Sequence, residues 1–396
     1  MRTSDQHPRS HWIVSSAIAI TIALTTMSML AVIVSSAAPK TPHTQDVEWK
    51  KASPGFEWSF PRDHWSHDEY RTEWWYFTGH LTSEEGKEYG FQFTIFRVGL
   101  TPIAPSFEST WTTQALWMGH ASISDLDGQR HLFSDVLHRS IPLLAGFESP
   151  SDSLISWGRG PTGTQEPWRL WWSGDAFAFS MRDDDQAMAM ELHTTPEKPL
   201  VFQGPEGYSR KAEAADGASL YYSFPRLATE GFLELDGRRV RVTGRSWMDK
   251  EFGSNQLTGD QVGWDWFSLQ LDDGRDVMLY ALRDADGSVD FARGTVIGAD
   301  GAATYLSKDE WSYESLGTWG SEASGIRYPH GWRVEIPEAA LSFDIIPRMK
   351  AQENVARSSG GIAYYEGAVE VRVDGRRAGL GYVELTGYGE GNRPPI

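Results

Sequence analysis

This 396-residue sequence predicts an all-β fold, laid out as antiparallel sheet in two β-rich halves, and three observations support it. Asp-Gly pairs recur at Asp127-Gly128, Asp216-Gly217, Asp236-Gly237, Asp273-Gly274, Asp286-Gly287, Asp300-Gly301 and Asp374-Gly375. A tight hairpin needs positive φ at its centre, which Asp and Gly tolerate, so such pairs between alternating segments mark hairpins. Their flanks alternate as strands do: "GFLELDGRRVRVTG" and "WDWFSLQLDDGRDVMLYALRD" both read strand, turn, strand. After residue 38, no long segment carries a helical period.

The first element stands apart from this pattern. From Trp12 to Ala38 no residue is charged, and the run follows Arg2 and Arg9. Residues 1–38 therefore read as an export signal peptide or a membrane anchor. Small residues at Ser35 and Ala37 permit cleavage before Ala38, whereas the length of the run suits retention. Both readings place the rest of the chain outside the cytoplasm, periplasmic or extracellular, and this segment allows contact with the membrane. Residues 39–55 form a polar, Pro-containing linker.

The body then divides in two. Gly/Pro/Ser-rich stretches interrupt the strand pattern at Ala145 to Pro167 and at Gln203 to Ser219, and fresh hairpins follow the second. Halves spanning residues 56–240 and 241–396 fit ordinary domain sizes. Composition limits what they do. A formal net charge of -18 with no basic stripe argues against nucleic acid as a partner. The absence of cysteine removes disulfides, thiolate nucleophiles and Cys-based metal sites. Eighteen tryptophans suit wide apolar interiors and surfaces that grip flat or greasy molecules.

Familiar catalytic signatures are missing: there is no G-x-S-x-G, H-E-x-x-H or Walker loop. "GRGPTG" (Gly158 to Gly163) matches G-x-G-x-x-G only formally, since it contains Pro161 and no helix follows. "HWSH" (His64 to His67) has no second His pair at matching spacing, so it reads as a strand entrance rather than a metal site. What remains is carboxylates among aromatics: Glu73 in "EWWYFTGHL", Asp249 in "SWMDKEFG" and Asp265 in "GWDWFSLQL". Alternation puts Glu73 with Trp75 and Phe77, opposite Trp74, Tyr76, Thr78 and His80. It puts Asp265 with Phe267 and Leu269, opposite Trp264 and Trp266. Asp249 falls with Arg241, Thr243, Arg245 and Trp247, a polar set, unless a bulge near Gly244 resets the register. An acid in an aromatic cavity has its pKa raised and can donate a proton near neutral pH, and ring faces stabilise a cation. The structural alternative is a buried acid bonded to backbone N–H groups or to Arg97, Arg226 or Arg245.

Together, "EWWYFTGHL", "YGFQFTIFR", "YYSFPRL", "GRSWMDKEFGSNQL", "GWDWFSLQLDDG" and "GYVELTGY" resemble the lipocalin-like AttH/carotenoid 1,2-hydratase family, which includes proteins labelled predicted secreted hydrolases. The resemblance spans about residues 56–390. It implies two lipocalin-like antiparallel β-barrel domains packed together, and a cofactor-independent reaction in which an aspartic acid protonates a C=C bond and water captures the cation. The hydratase Tyr-x-Asp segment matches Trp247-Met248-Asp249, which makes Asp249 the proton donor. The hydratase His-x-Trp pair falls at Leu220 and Tyr222, so the histidine is replaced. On this reading Asp249, Trp247 and Tyr222 are catalytic, and Glu73, Trp75, Asp265 and Trp266 bind substrate. Glu73 either assists or orders the barrel through Arg97 or a Trp N–H. The expected partner is an isoprenoid- or lipid-like molecule, and the expected activity is hydration or isomerisation without cofactor or metal. The alternative is a non-catalytic lipid-binding or carrier protein. A hydrolase has only the family label behind it, because no nucleophile–base pair is present.

Overall fold

The computed structural model describes residues 48–391 and Pro394, except 105, 107–108 and 214–216, and these residues belong to one compact unit. The apolar run from Trp12 to Ala38 lies outside the described residues. As expected, the fold is all-β: the described residues form two large antiparallel sheets, a separate two-stranded pair of Thr318–Gly320 with Arg327–Pro329, and four single-turn 3-10 segments. The Asp-Gly pairs turn hairpins: Asp236-Gly237 and Asp374-Gly375 carry φ of 52° and 75°, and of 50° and 74°, at both centres. Asp216 of the Asp216-Gly217 pair is outside the described residues.

The first sheet runs from Arg130–Arg139 through Ala115–Asp125, Glu88–Gly99, Thr72–Ser83, Arg238–Asn255, Ala218–Leu235, Met188–Pro196, Phe177–Asp183, Trp168–Trp172 and Leu154–Gly158 to Ala145–Phe147. Its ends approach each other: Trp117 Nε1 donates to Ser156 Oγ at 2.7 Å, and a Cβ on Gly158 would lie 2.6 Å from the Trp117 ring. The sheet is thus nearly closed into a barrel around Trp75, Phe77, Phe93, Trp168 and Phe179. The second sheet centres on Gln261–Leu271, Arg376–Leu385 and Ile362–Val373 and packs around Phe267, Leu279, Trp332, Val369 and Val383.

The sheets change over between Asn255 and Gln261, so the expected division at 240/241 falls inside a strand. The reason is the two-residue Asp236-Gly237 turn, which folds Arg238–Asn255 back along Ala218–Leu235 and holds it in the first sheet. Between the sheets lies a third cluster, including Tyr76, Tyr221, Trp247, Trp266, Tyr280 and Tyr382. Its first-sheet members come from the outer face of the barrel. Along Thr72–Ser83, Trp75 and Phe77 point into the barrel core while Tyr76 joins the layer between sheets, as alternation requires. Close approach is needed here: a Cβ on Gly90 would lie 2.8 Å from Ala368 Cβ and 2.9 Å from the Tyr382 hydroxyl.

Candidate functional site

Asp249 lies in this layer. Its register is fixed by unbroken pairing with Thr72–Ser83, from Thr72↔Gly253 to Ser83↔Val242, so no bulge at Gly244 resets it. Asp249 shares a face with Arg241, Thr243, Arg245 and Trp247, as alternation requires. Arg241, Thr243 and Arg245 are exposed, whereas Trp247 and Asp249 are buried. The polar set and the aromatic set are therefore two stretches of one face, of which only the second is covered by the second sheet.

Across the strands, Asp249 stands directly between Tyr76 and Ser223, and Glu251 stands between Trp74 and Tyr221. Residues directly opposite in an antiparallel pair share a face, so all six project toward the second sheet. Asp249 is 3% exposed and is held by three neutral donors. Ser223 Oγ donates to Oδ1 at 2.5 Å, Trp247 Nε1 to Oδ1 at 2.7 Å, and Tyr221 OH to Oδ2 at 2.7 Å. Burial pushes its pKa up to about 7 against these three bonds, and the Glu251 charge adds to the rise. Glu251 pairs with Lys211 at 2.7 Å and also takes a bond from Ser219. Lys211 Nζ lies 4.4 Å from the centroid of the Tyr280 ring.

These groups line a slot between the sheets. Its walls include Trp74, Tyr76 and Tyr221 from the first sheet, and Trp264, Trp266 and Glu384 from the second. The empty space is about 690 Å³, including the part open to solvent. It is narrow and aromatic, and suits a flat or chain-like apolar molecule better than a bulky polar one. Trp266 Nε1 donates to Tyr221 OH at 3.2 Å, and its ring meets Tyr76 edge-on, 5.2 Å between centroids. Burial, with Asp249 and Glu251 nearby, pushes Glu384 up to about 7 against a 2.8 Å bond from Trp264 Nε1.

Of the seven residues expected at the site, Asp249, Trp247 and Trp266 come together and four do not. Tyr222 pairs across the sheet with Lys250 and belongs to the first barrel core, where its hydroxyl lies 2.7 Å from His64 Nδ1. The slot tyrosine is its neighbour Tyr221. Glu73 is fully buried inside the same barrel, bonded to the backbone N–H of His67 at 2.8 Å, 2.7 Å from His67 Nδ1, and paired with Lys250. Trp75 donates to the His64 carbonyl at 2.7 Å, with Lys250 Nζ 3.6 Å from its ring centroid. Asp265 is buried on the far face of the second sheet against Arg283 at 2.9 Å, Tyr388 OH at 2.8 Å and Tyr313 OH at 3.0 Å. The arginines expected as partners are engaged elsewhere: Arg97 with Asp68, Arg226 with Asp276 and Arg245 with Glu197. His64 and His67 of "HWSH" are absorbed into the barrel's own buried bonding.

Sequence reasoning missed Tyr221, Ser223, Glu251, Lys211, Trp264 and Glu384. Stepping by two from Asp249 leads to Glu251, and Glu384 lies within "GYVELTGY", although nothing in that stretch alone marks the acid as a slot residue. A family model described as AttH-like matches residues 51–388, confirming the motif resemblance. The chain is similar to the crystal structure of an AttH from Nitrosomonas europaea, at 31% identity and TM-score 0.75, covering 86% of this chain and 100% of that one. Kievitone hydratase from Nectria haematococca shares the fold at TM-score 0.60 and 14% identity, over 85% of this chain and 95% of its own. No curated protein matches the chain.

Proposed function

The chain belongs to the AttH-like family, and on that premise we propose that its slot binds an apolar isoprenoid- or lipid-like molecule and that Asp249 protonates a C=C bond held there. One observation carries this reading: a buried carboxyl, held only by neutral donors, on the wall of an aromatic slot. Near pH 7 much of it keeps its proton. The alkene's π pair takes that proton to form a C–H bond, and the neighbouring carbon becomes cationic. The ring faces of Trp and Tyr in the slot stabilise that charge. Ser223, Trp247 and Tyr221 hold the Asp249 carboxylate left behind. Capture by water gives hydration, and loss of a neighbouring proton to Asp249 gives isomerisation. This chemistry needs no cofactor. Export of the folded body is part of the proposal and is supported by the charge-free run from Trp12 to Ala38.

The test incubates purified protein with acyclic carotenoids and shorter isoprenoid alkenes, with mass spectrometry reading the gain of one water or a shifted double bond. Asp249→Asn is expected to lower the rate by roughly 10²–10⁴-fold, the range for a general acid. A variant as fast as the native protein would rule out Asp249 as the donor. The second reading is a non-catalytic carrier, favoured by the lack of any histidine among the slot's lining residues, where the resemblance implies one. Native mass spectrometry of protein from its own host, releasing an unaltered apolar ligand that the slot never converts, would favour the carrier.

A further inference from the structure

Resting on this acid-initiated reading, we propose that Glu384 is the base of the same reaction, taking the proton from the water that attacks the cation. The two sheets face each other strand against strand. In the first sheet, the Ala218–Leu235, Arg238–Asn255 and Thr72–Ser83 strands lie in that order and carry Tyr221, Asp249 and Tyr76. In the second, the Gln261–Leu271, Arg376–Leu385 and Ile362–Val373 strands carry Trp266, Glu384 and Glu366, with Glu384 directly between the other two. Two hydrogen bonds pin the outer pairs: Trp266 Nε1 to Tyr221 OH at 3.2 Å, and Tyr76 OH to Glu366 Oε1 at 2.5 Å. The middle strands of both sheets are thereby set against each other. Asp249 and Glu384 project from them, and both line the slot.

Charge assigns the roles. The groups around Glu384 are Asp249, Glu251 and Tyr76 from the first sheet, Lys211 from the preceding loop, and Glu366 and Trp264 from its own sheet. Glu366 stands directly opposite Glu384, and two carboxyls so placed do not both ionise. Glu366 is fully buried, and its Oε2 has no hydrogen-bond partner among the described residues. Burial and the Glu384 charge therefore keep Glu366 protonated, which leaves Glu384 as the member free to ionise. Asp249 and Glu384 repel each other's charge and titrate near the same pH, so a state with one proton between them supplies an acid and a base together. Asp249 is the deeper of the two, while Glu384 is partly exposed, on the side that water reaches.

The step balances. The Asp249 proton forms the new C–H bond with the alkene's π pair. A lone pair of water forms the C–O bond to the cation, and one O–H proton of that water passes to the Glu384 carboxylate. The alcohol leaves, and solvent in the emptied slot returns the proton from Glu384 to Asp249.

The test follows two readouts on the polyene panel in D₂O, hydration and deuterium entry into recovered alkene. Deuterium entry requires only protonation and deprotonation by Asp249. Glu384→Gln is expected to lower hydration at least 100-fold while deuterium entry stays within about threefold of native. Glu384→Asp, which keeps a carboxylate, is expected to recover at least tenfold over Gln. Hydration at the native rate in Glu384→Gln would overturn the assignment, as would an equal fall in both readouts or an Asp variant no better than Gln. A native protein inert in both readouts on every alkene would bring down the parent reading and this one with it. Native activity with an indifferent Glu384 would bring down this one alone.

Discussion

The paired strands Thr72–Ser83 and Arg238–Asn255 bury an acid against tryptophan on each face, and the acids behave in opposite ways. Inside the barrel, burial pushes Glu73 up, but the Lys250 ammonium and His67 outweigh it and hold its pKa at about 2. On the outer face, burial pushes Asp249 up to about 7 against the O–H and N–H donors of Ser223, Tyr221 and Trp247, and no cation bonds the carboxyl directly among the described residues. Both are buried and hydrogen-bonded, so neither burial nor bonding separates them. What separates them is a cation. A carboxylate paired with an ammonium is a structural ion, whereas one given only neutral donors keeps a usable proton. The adjoining residues Asp249 and Lys250 thus serve different purposes on different sides of one strand.

The sharpest way to break this comparison is to remove each charge in turn. Glu73→Gln would leave Lys250 buried without its partner, and we expect a loss of about 3–5 kcal/mol in unfolding free energy at pH 7, read by urea denaturation. Asp249→Asn should lose far less, or gain. If the two variants were destabilised equally, Asp249 would be structural as well.

A second expectation concerns pH. The folded-state pKa of Asp249 lies above its unfolded value, so its contribution to stability is fully present below about pH 4 and is lost as pH rises through about 7. Measured against Asp249→Asn, the native protein should therefore lose roughly 1 kcal/mol per pH unit across that window. Glu73 has the opposite sign: its contribution is present above about pH 4.5 and is lost as pH falls toward 2. Denaturation curves of both variants from pH 3 to 8 should diverge in opposite senses, and parallel curves would contradict the comparison.

The smallest effect comes from the adjacent tyrosines. Tyr221→Phe removes a donor from the Asp249 carboxylate, so the pKa of that group should rise by about one unit, visible in the pH profile of ligand chemistry. Tyr222→Phe should leave that profile unmoved and cost about 1–3 kcal/mol of stability, because His64 loses its buried partner. A Tyr222→Phe variant that moved the profile would return Tyr222 to the site.

These pairs also show where sequence reading succeeds and where it stops. The hairpins were readable because an Asp-Gly turn is a local requirement, and the faces of Thr72–Ser83 followed from its alternation. Asp249 and Trp247 were singled out by the family motif, because alternation alone set Asp249 among polar residues. Tyr221 was missed by one position. Only the pairing of Ser223 with Asp249, a contact between separate strands, tells which of two neighbouring tyrosines shares the acid's face. Glu73 and Asp265 looked equivalent to Asp249 because each sits beside tryptophans. The cations that make them structural, Lys250 and Arg283, come from other strands. Glu384 reaches the slot only when the second sheet packs on the first, which no short stretch of sequence records.

The strict two-residue alternation of these strands has a consequence for how such a site changes over time. Positions 222, 248 and 250 point into the barrel, while 221, 249 and 251 line the slot and 223 and 247 bond Asp249 beside it. A lineage can therefore vary every second residue and explore new ligands or new acids without disturbing the barrel beneath. The scaffold and the chemistry are inherited on separate tracks of the same strand.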